Sequence, residues 1–235
     1  MAHPASRIPP VGVVLPAGGS GLRLGGARKQ YRLLGDAPVL VQTARAFDGH
    51  PDVAAVVVAA PAADVADVRR MLAEFGVAAD VVAGGASRAA SVACGIAALP
   101  ARVATVLVHD AVRPFVAAEL VARVASAAHV HGAAAAAVRV SDTLRRGAGG
   151  LFAETVEREG MWAMQTPQGA RRSLLEAAYA ASGDAVPTDE AGLLALAGTP
   201  VAIVEGDTRN VKVTTPGDWA LARSLWPAWA ATRGR

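Results

Sequence analysis

The sequence predicts an α/β fold whose mostly parallel sheet carries helices on both faces. Short runs of β-branched residues alternate with longer Ala- and Leu-rich segments of helical periodicity, which is the pattern of βαβ units. The strand-like runs are continuously apolar, as expected when both faces of a sheet are covered. The 235 residues are enough to bury a core as one domain, 1–235, without a metal or a disulfide to stabilise it.

Each element follows from a local pattern. Strands are predicted at VGVVL (11–15), VAAVVVAA (53–60), ADVVAG (79–84), VATVLVHD (103–110), AAAAVRV (134–140), PVAIVEG (200–206) and NVKVT (210–214). Helices are predicted between them at 38–48, 62–75, 87–98, 116–130, 171–181, 188–197 and 216–225. Asp64, Ser87, Thr188 and Thr215 are suited to cap four of these helices, and Pro216 suits a first helical position.

The segment 141–168 interrupts this alternation. Its Gly-rich turn at Gly147, Gly149 and Gly150 separates the short segments LRR and LFAETVER, which predicts a β-hairpin that projects from the sheet as an arm. A lone hairpin has too little core of its own, so we expect a second subunit to cover it.

The composition excludes several classes of protein. The single cysteine, Cys94, rules out an intrachain disulfide framework and a cysteine zinc cluster. No apolar run reaches the roughly 18–20 residues of a membrane span, and the polar, proline-rich start does not resemble a signal peptide, so we expect a cytoplasmic protein. A net charge of +3 with only four Phe, four Trp and two Tyr argues against nucleic-acid binding and favours small anionic ligands.

A glycine-rich loop, PAGGSGLRLGGARKQY, follows the first predicted strand. It does not contain the P-loop pattern G-x-x-x-x-G-K-[ST]. It does not match the dinucleotide fingerprint G-x-G-x-x-G either, since Leu24 stands where the third glycine would be. Its backbone N–H groups are suited to cradle phosphates beneath Arg23 and Lys29, although a simple turn with stray cations is the alternative. Lys29 and Lys212 are the only lysines among 23 basic residues, and each adjoins a motif, which favours a chemical role over chance.

Two further motifs end predicted strands. In VAGGASRAASVACG, Gly84 and Gly85 precede a helix start that carries Arg88 and Ser91, which suits a base or phosphate as well as an ordinary capped helix. In VLVHDAVRPF, Asp110 ends an apolar strand, a costly position for a carboxylate without a partner. A nearby phosphate loop makes Mg²⁺ the economical partner, whereas the neighbouring His109 is expected to be structural.

Threonines and charged residues at loop boundaries form a last group. Hydroxyl partners and counter-charges suit a phosphorylated polyol, although each residue is about as well explained as a helix cap or a surface pair. The group comprises Asp142, Thr143, Thr155, Arg158, Thr166, Thr188, Asp189, Glu190 and Lys212.

Eight motifs occur in one order: PAGGSGLRLGGARKQY, GGASRAASVACG, VHDAVRP, DTL, TVER, QTPQ, TDEA and NVKVT. Over residues 11–225 the chain resembles the 2-C-methyl-D-erythritol 4-phosphate cytidylyltransferases of the non-mevalonate isoprenoid pathway. The resemblance implies a Rossmann-like nucleotidyltransferase sheet, CTP and a polyol phosphate as substrates, Mg²⁺ as cofactor, and a homodimer that exchanges its arms.

The resemblance also implies roles for residues. Those at the reacting phosphates are Arg23, Lys29 and Lys212. Those around the nucleotide are Pro16, Ala17, Gly18, Gly19, Gly21, Gly84, Gly85, Arg88, Ser91, Asp110 and Ala111, with Asp110 also near the metal. Those at the acceptor are Arg113, Thr143, Arg158, Thr166 and Thr188, of which Thr143 and Arg158 come from the partner subunit.

The chain departs from the family pattern at two places. Many relatives have Pro where Arg28 stands and a loop about one residue longer, and many have Ala where Val112 stands. The substrate phosphate is itself the nucleophile in the implied reaction, so no general base is needed. A cytidylyltransferase for another polyol phosphate, such as ribitol 5-phosphate, and a non-catalytic nucleotide-sensing module are the alternatives.

Overall fold

The computed structural model describes residues 8–18, 29–182 and 188–233. Its central sheet has seven strands in the order β11-β7-β10-β6-β1-β4-β5. These are β1 (Val11–Pro16), β4 (Val53–Ala60), β5 (Asp80–Ala83), β6 (Thr105–Val108), β7 (Ala133–Arg139), β10 (Trp162–Arg171) and β11 (Ala202–Glu205). All pairings are parallel except those of β10, which runs antiparallel to both β6 and β7. The predicted mostly parallel sheet is therefore confirmed.

Helices cover both faces of this sheet. They are α1 (Val39–Ala44), α2 (Val65–Glu74), α3 (Arg88–Ala98), α4 (Ala118–His131), α5 (Arg172–Ala181), α6 (Glu190–Leu196) and α7 (Pro216–Arg233). Successive side chains of β1 point to opposite faces, so that Val13 and Leu15 join one core cluster while Val14 joins the other. A small pair of strands, β2 (Leu33–Leu34) and β3 (Ala37–Pro38), precedes α1.

One predicted strand and the predicted extent of the arm are wrong. Residues 210–214 form a loop, held by hydrogen bonds such as Val213 N to Val112 O at 2.9 Å. Residues 162–168, which the sequence assigns to the arm, belong instead to the central strand β10. The pairing of β10 with β7 shifts between Met164 and Gln168, and this irregularity accommodates Pro167, which has no N–H to donate.

The arm itself is a separate hairpin of β8 (Leu144–Ala148) and β9 (Leu151–Val156). The first two residues of β9, Leu151 and Phe152, are 76% and 82% exposed. The predicted hairpin is thus present, with bounds narrower than 141–168.

The helix starts agree in part with the predicted caps. Ser87 Oγ accepts from Ala90 N and Thr215 Oγ1 accepts from Asp218 N, as predicted. Asp189, not Thr188, caps α6, because its side chain accepts from Gly192 N. Asp64 makes no capping bond to α2 and instead accepts from the Tyr31 hydroxyl at 2.8 Å. Among the described residues no helix has the length and apolar character needed to cross a membrane.

Candidate active site

A cleft of about 250 Å³ lies at the carboxyl edge of the sheet, where the polar strand ends converge. Three backbone segments, the turn residues Lys29 and Gln30, and Lys212 form it. Its lining residues are Pro16, Ala17, Gly18, Lys29, Gln30, Gly85, Ala86, Ser87, Arg88, Ser91, Asp110, Ala111, Val112 and Lys212. Segments predicted separately from three strand ends therefore share one cavity.

Asp110 is the acidic centre of this edge and is 7% exposed. Its Oδ2 lies 3.0 Å from Lys212 Nζ and 3.2 Å from Arg113 Nε, and its Oδ1 lies 3.6 Å from Arg88 Nε. Burial by itself would raise the pKa of Asp110, but the charges of Lys212, Arg88 and Arg113 hold that pKa well below its usual range. The carboxylate is therefore ionised and gathers three cations around one point.

A short chain of hydrogen bonds holds Asp110 in place. Its backbone N–H donates to Thr166 Oγ1 at 3.0 Å, and Thr166 Oγ1 lies 3.1 Å from Nδ1 of His109. The His109 Nε2 lies 3.0 Å from the carbonyl oxygen of Arg113, which can only accept, so Nε2 carries the proton and Nδ1 accepts from Thr166. The ring thus links both ends of the 109–113 turn.

His109 is fully buried, with Phe47 edge-on at 5.0 Å between ring centroids. Burial lowers the pKa of His109 to about 4, so the imidazole is neutral at pH 7. Both ring nitrogens are occupied within the fold, which agrees with the structural role expected for this residue.

Arg88 begins α3 and faces a buried carboxylate on α6. Its Nη1 and Nη2 donate to Glu190 Oε1 and Oε2 at 2.7 and 2.9 Å, and the Tyr179 hydroxyl donates to Oε1 at 2.9 Å. Burial would lower the pKa of Arg88, but Glu190 and Asp110 raise it above its usual value. Burial and the Glu190 carboxylate raise the pKa of Tyr179 well above the usual value for a phenol.

A second cleft of about 210 Å³ adjoins the first and shares Arg88, Asp110 and Lys212 with it. Its other lining residues come from β10, from the start of α6 and from the turn after β6. They are Arg113, Met164, Gln165, Thr166, Gln168, Thr188 and Asp189. The shared residues form a charged wall between two cavities.

The loop that carries Lys212 is anchored from beneath by Asn210, which is fully buried. Asn210 Nδ2 donates to Thr166 O at 2.7 Å, and its own carbonyl accepts from Arg113 Nη1 at 2.7 Å. This loop is therefore tied both to β10 and to the Asp110 turn, which places Lys212 at the wall.

Lys29 lies in a short 3₁₀ turn, Lys29–Tyr31, and lines the first cleft. The next residue, Gln30, is 1% exposed and its Nε2 donates to Ala17 O at 2.9 Å. This bond joins the segment after β1 to the turn that contains Lys29, although 12 residues lie between Ala17 and Gln30 in the sequence.

Several predicted site residues are placed differently from what the sequence indicated. Gly84 does not line the cleft, and its N–H donates to Ala60 O at 2.7 Å. A Cβ at Gly84 would lie 2.6 Å from Ser91 Oγ, so this glycine makes room for the helix start. Thr166 lines the second cleft, but its hydroxyl bonds Asp110 N and His109. Gly19, Gly21 and Arg23 lie outside the described residues.

Thr143 and Arg158 lie at the base of the arm and line neither cleft of their own chain. Arg158 donates to the carbonyl of Ser141 and is exposed. Thr188 is exposed at the second cleft, next to the cap of α6.

The sequence did not point to two residues, Gln168 and Tyr179, whose hydrogen bonds hold other residues of the site in place. In the motifs QTPQ, TDEA and NVKVT the sequence pointed to threonines and charged residues, Glu190 among them, but not to the glutamine amides. Gln168, for example, donates to Asp189 Oδ2 at 2.9 Å and accepts from Ala191 N at 2.8 Å, which fixes the start of α6. Tyr179 lies in an otherwise ordinary helical segment, and no local signal points to it.

The described residues contain no cluster of three or more His, Cys, Asp or Glu side chains that could bind a metal by themselves. Asp110 is the one carboxylate among the described residues that line the first cleft, and a single carboxylate suits Mg²⁺ only when substrate phosphates supply further ligands. The donor set therefore fits a metal that arrives with a nucleotide.

The family model of IspD, 2-C-methyl-D-erythritol 4-phosphate cytidylyltransferase, matches residues 11–226. The chain is 51% identical over 221 residues to the 2-C-methyl-D-erythritol 4-phosphate cytidylyltransferase of Salinibacter ruber, covering 92% of this chain and 93% of that protein. It is 42% identical to the bifunctional enzyme IspD/IspF of Desulfotalea psychrophila, with coverage of 91% of this chain but only 56% of that longer protein. The crystal structure of the Thermus thermophilus cytidylyltransferase superposes with a TM-score of 0.79 at 37% identity, over 93% of this chain and 99% of that one.

Proposed function

Because the chain belongs to the family of 2-C-methyl-D-erythritol 4-phosphate cytidylyltransferases, we propose that it transfers CMP from CTP to 2-C-methyl-D-erythritol 4-phosphate. The products are 4-diphosphocytidyl-2-C-methyl-D-erythritol and pyrophosphate. The acceptor's phosphate oxygen attacks the α-phosphorus of CTP in line, a new P–O bond forms, and the bond to the leaving pyrophosphate breaks.

The observation that carries this proposal is the pair of adjoining clefts that share Arg88, Asp110 and Lys212. The nucleotide occupies the first cleft, between the glycine-rich strand ends, and the acceptor occupies the second, beside Arg113 and Thr188. Two substrates in adjoining cavities place their phosphates against one charged wall, where positioning alone lowers the barrier.

Charge stabilisation does the remaining catalytic work. A phosphate monoester is ionised at pH 7, so its attack needs no general base, and the buried neutral His109 is not required to supply one. Lys29 and Lys212 meet the charge that develops on the α-phosphoryl group and on pyrophosphate, together with Arg23 in the glycine-rich loop. Arg113 lines the second cleft, which supports a role at the acceptor phosphate.

Mg²⁺ is the proposed cofactor. Asp110 would be its protein ligand and the nucleotide phosphates would supply the others, and the ion would neutralise negative charge on those phosphates. Lys212 and Arg113 already contact Asp110, so a bound Mg²⁺ would share this carboxylate with them.

The arm is proposed to complete the site of a second subunit in a homodimer. Three observations support this: the hairpin has no core of its own, Leu151 and Phe152 are exposed at the start of β9, and Thr143 and Arg158 line neither cleft of their own chain. The partner's acceptor cleft is then the place where these two side chains act. A cytoplasmic location stays a prediction.

Pyrophosphate release tests the proposed function directly. Purified chain with CTP, Mg²⁺ and 2-C-methyl-D-erythritol 4-phosphate should release pyrophosphate, and omission of the acceptor or addition of EDTA should stop it. Ribitol 5-phosphate serves as the matched acceptor, and we expect it to be much the poorer substrate, since the family match does not favour it. A chain that binds CTP but releases no pyrophosphate with either acceptor would be a nucleotide-binding module instead.

A further inference from the structure

Glu190 is a carboxylate that the proposed reaction does not itself use. It is the first residue of α6 and is 1% exposed. A buried carboxylate is costly unless it is fully paired, and here each oxygen is occupied: Oε1 accepts from Arg88 Nη1 and Tyr179, and Oε2 accepts from Arg88 Nη2.

The geometry of this pairing decides which edge of Arg88 faces the substrates. A guanidinium presents its five N–H groups in one plane, and a fork-to-fork pair with a carboxylate fixes that plane. Glu190 takes the Nη1 and Nη2 edge at 2.7 and 2.9 Å, which leaves Nε directed toward Asp110 Oδ1 at 3.6 Å. The side chain of Arg88 is 30% exposed, and the residue lines both clefts.

Glu190 also limits how Arg88 competes for Asp110. Lys212 and Arg113 already contact Asp110 Oδ2 at 3.0 and 3.2 Å. Without Glu190, the Arg88 guanidinium would be drawn to Asp110, whose Oδ1 already lies 3.6 Å from its Nε, and away from the position that it holds between the clefts.

We propose that Glu190, held by the Tyr179 hydroxyl, is a positioning residue that orients Arg88 for substrate phosphates at the wall between the two clefts. The inference rests on the proposed function, since it assigns Arg88 to the substrates of that reaction. Glu190 acts through Arg88 and does not itself touch the reacting atoms.

A double-mutant cycle tests this proposal. Glu190→Gln removes the charge and half of the fork, and Arg88→Lys keeps the charge but removes the planar fork. Each single variant should have a kcat/KM for CTP about tenfold below wild type. The kcat/KM of the double variant should lie no more than about twofold below that of the less active single variant, because both changes disrupt the same pair. Multiplying losses, about a hundredfold in the double variant, would overturn the proposal.

The KM for CTP separates positioning from support of the fold. Misorientation of Arg88 should raise the KM and the calorimetric Kd for CTP, whereas loss of folded protein lowers the apparent turnover and leaves both constants unchanged. Unchanged constants in Glu190→Gln would therefore also overturn the proposal. Should Glu190→Gln fail to fold, Tyr179→Phe carries the same test, with an expected rise in KM of about threefold for loss of one hydrogen bond.

Glu176→Gln is the matched control. It breaks an Arg–Glu pair of the same chemistry on α5, where Arg172 Nε donates to Glu176 Oε1 at 2.8 Å away from both clefts. Arg172 keeps its bonds to the carbonyls of Ile96 and Pro100, so kcat/KM and Kd for CTP should stay at wild-type values. If the wild-type chain shows no turnover, only the proposed function is contradicted. The role of Glu190 would still be tested by the effect of Glu190→Gln on the Kd for CTP.

Discussion

At the scale of single residues, the site depends on how charges are balanced around Asp110. Arg88, Arg113 and Lys212 approach this one carboxylate, and Arg88 also forms an ion pair with Glu190. The three cations carry one more charge than Asp110 and Glu190 together, so this group of five residues is positive by one charge. Positive charge held in fixed positions is what a transition state with several phosphate oxygens requires.

Lys29→Ala should reduce turnover by about 10²–10³-fold while the fold stays intact, because loss of one stabiliser of transition-state charge costs about 3–4 kcal/mol. Lys29 lines the first cleft, together with Lys212 and Asp110. Steady-state pyrophosphate release and circular dichroism measure the two parts of this prediction. Turnover within about threefold of wild type would remove Lys29 from the mechanism.

His109 should make the stability of the protein depend on pH between about 6.5 and 4. Burial lowers its folded pKa to about 4, below the ordinary value near 6.5, so its contribution is complete above pH 6.5 and is lost as the pH falls toward 4. The loss amounts to about 3 kcal/mol, and urea titrations at several pH values measure it. His109→Gln should flatten the slope in this window, whatever it does to the absolute stability, and an unchanged slope would contradict the assignment.

At the scale of elements, close packing of α3 against β1 sets the position of the first cleft. A Cβ at Gly95, in α3, would lie only 2.4 Å from Cγ1 of the fully buried Val14. The helix therefore approaches the strand more closely than a side chain at position 95 would allow. Its N-terminus, with Arg88 and Ser91, reaches the strand ends.

Gly95→Ala should destabilise the protein by about 1–2 kcal/mol, since overpacking outweighs the better helix propensity of alanine. Gly217→Ala is the matched helical control, because its Cβ would meet nothing nearer than Thr215 Oγ1 at 3.7 Å. That variant should be neutral or slightly stabilising. Free energies of unfolding from urea denaturation compare the two, and equal values would show that α3 has room to move.

Strand β10 shows where local patterns fail. Its sequence, WAMQTPQGAR, contains two glutamines and a proline, so it does not read as a central strand. Burial between β6 and β7 nevertheless decides its structure, and the polar side chains at its irregular middle build the second cleft. The reverse holds for NVKVT. Its alternating pattern suits a strand, but the segment is a loop whose Val213 N–H donates to the Val112 carbonyl.

At the scale of the whole molecule, the proposed dimer completes each acceptor site with a partner's arm. Mixed dimers test this. We expect Arg158→Ala to impair use of the polyol phosphate, and a dimer of one Arg158→Ala and one Arg23→Ala subunit to recover activity, since one of its two sites then keeps both arginines. Differently tagged subunits allow the mixed species to be purified, and pyrophosphate release measures recovery.

Dimers in which both subunits carry the same substitution are the control and should stay impaired. Mixed dimers that are no more active than these controls would show that each site is built from one chain.

The sequence by itself determined the chemistry of the strand ends and the family. Glycine-rich turns, Asp110 and the two lysines are local features, and parallel strands bring their carboxyl ends to one edge by topology alone. Only the tertiary structure decided which groups meet there: Arg88 and Glu190 are 102 residues apart, and Thr166 bonds Asp110 across 56. Such contacts depend on how the helices and β10 pack against parts of the chain that are far away in sequence. A local sequence pattern contains no information about that packing.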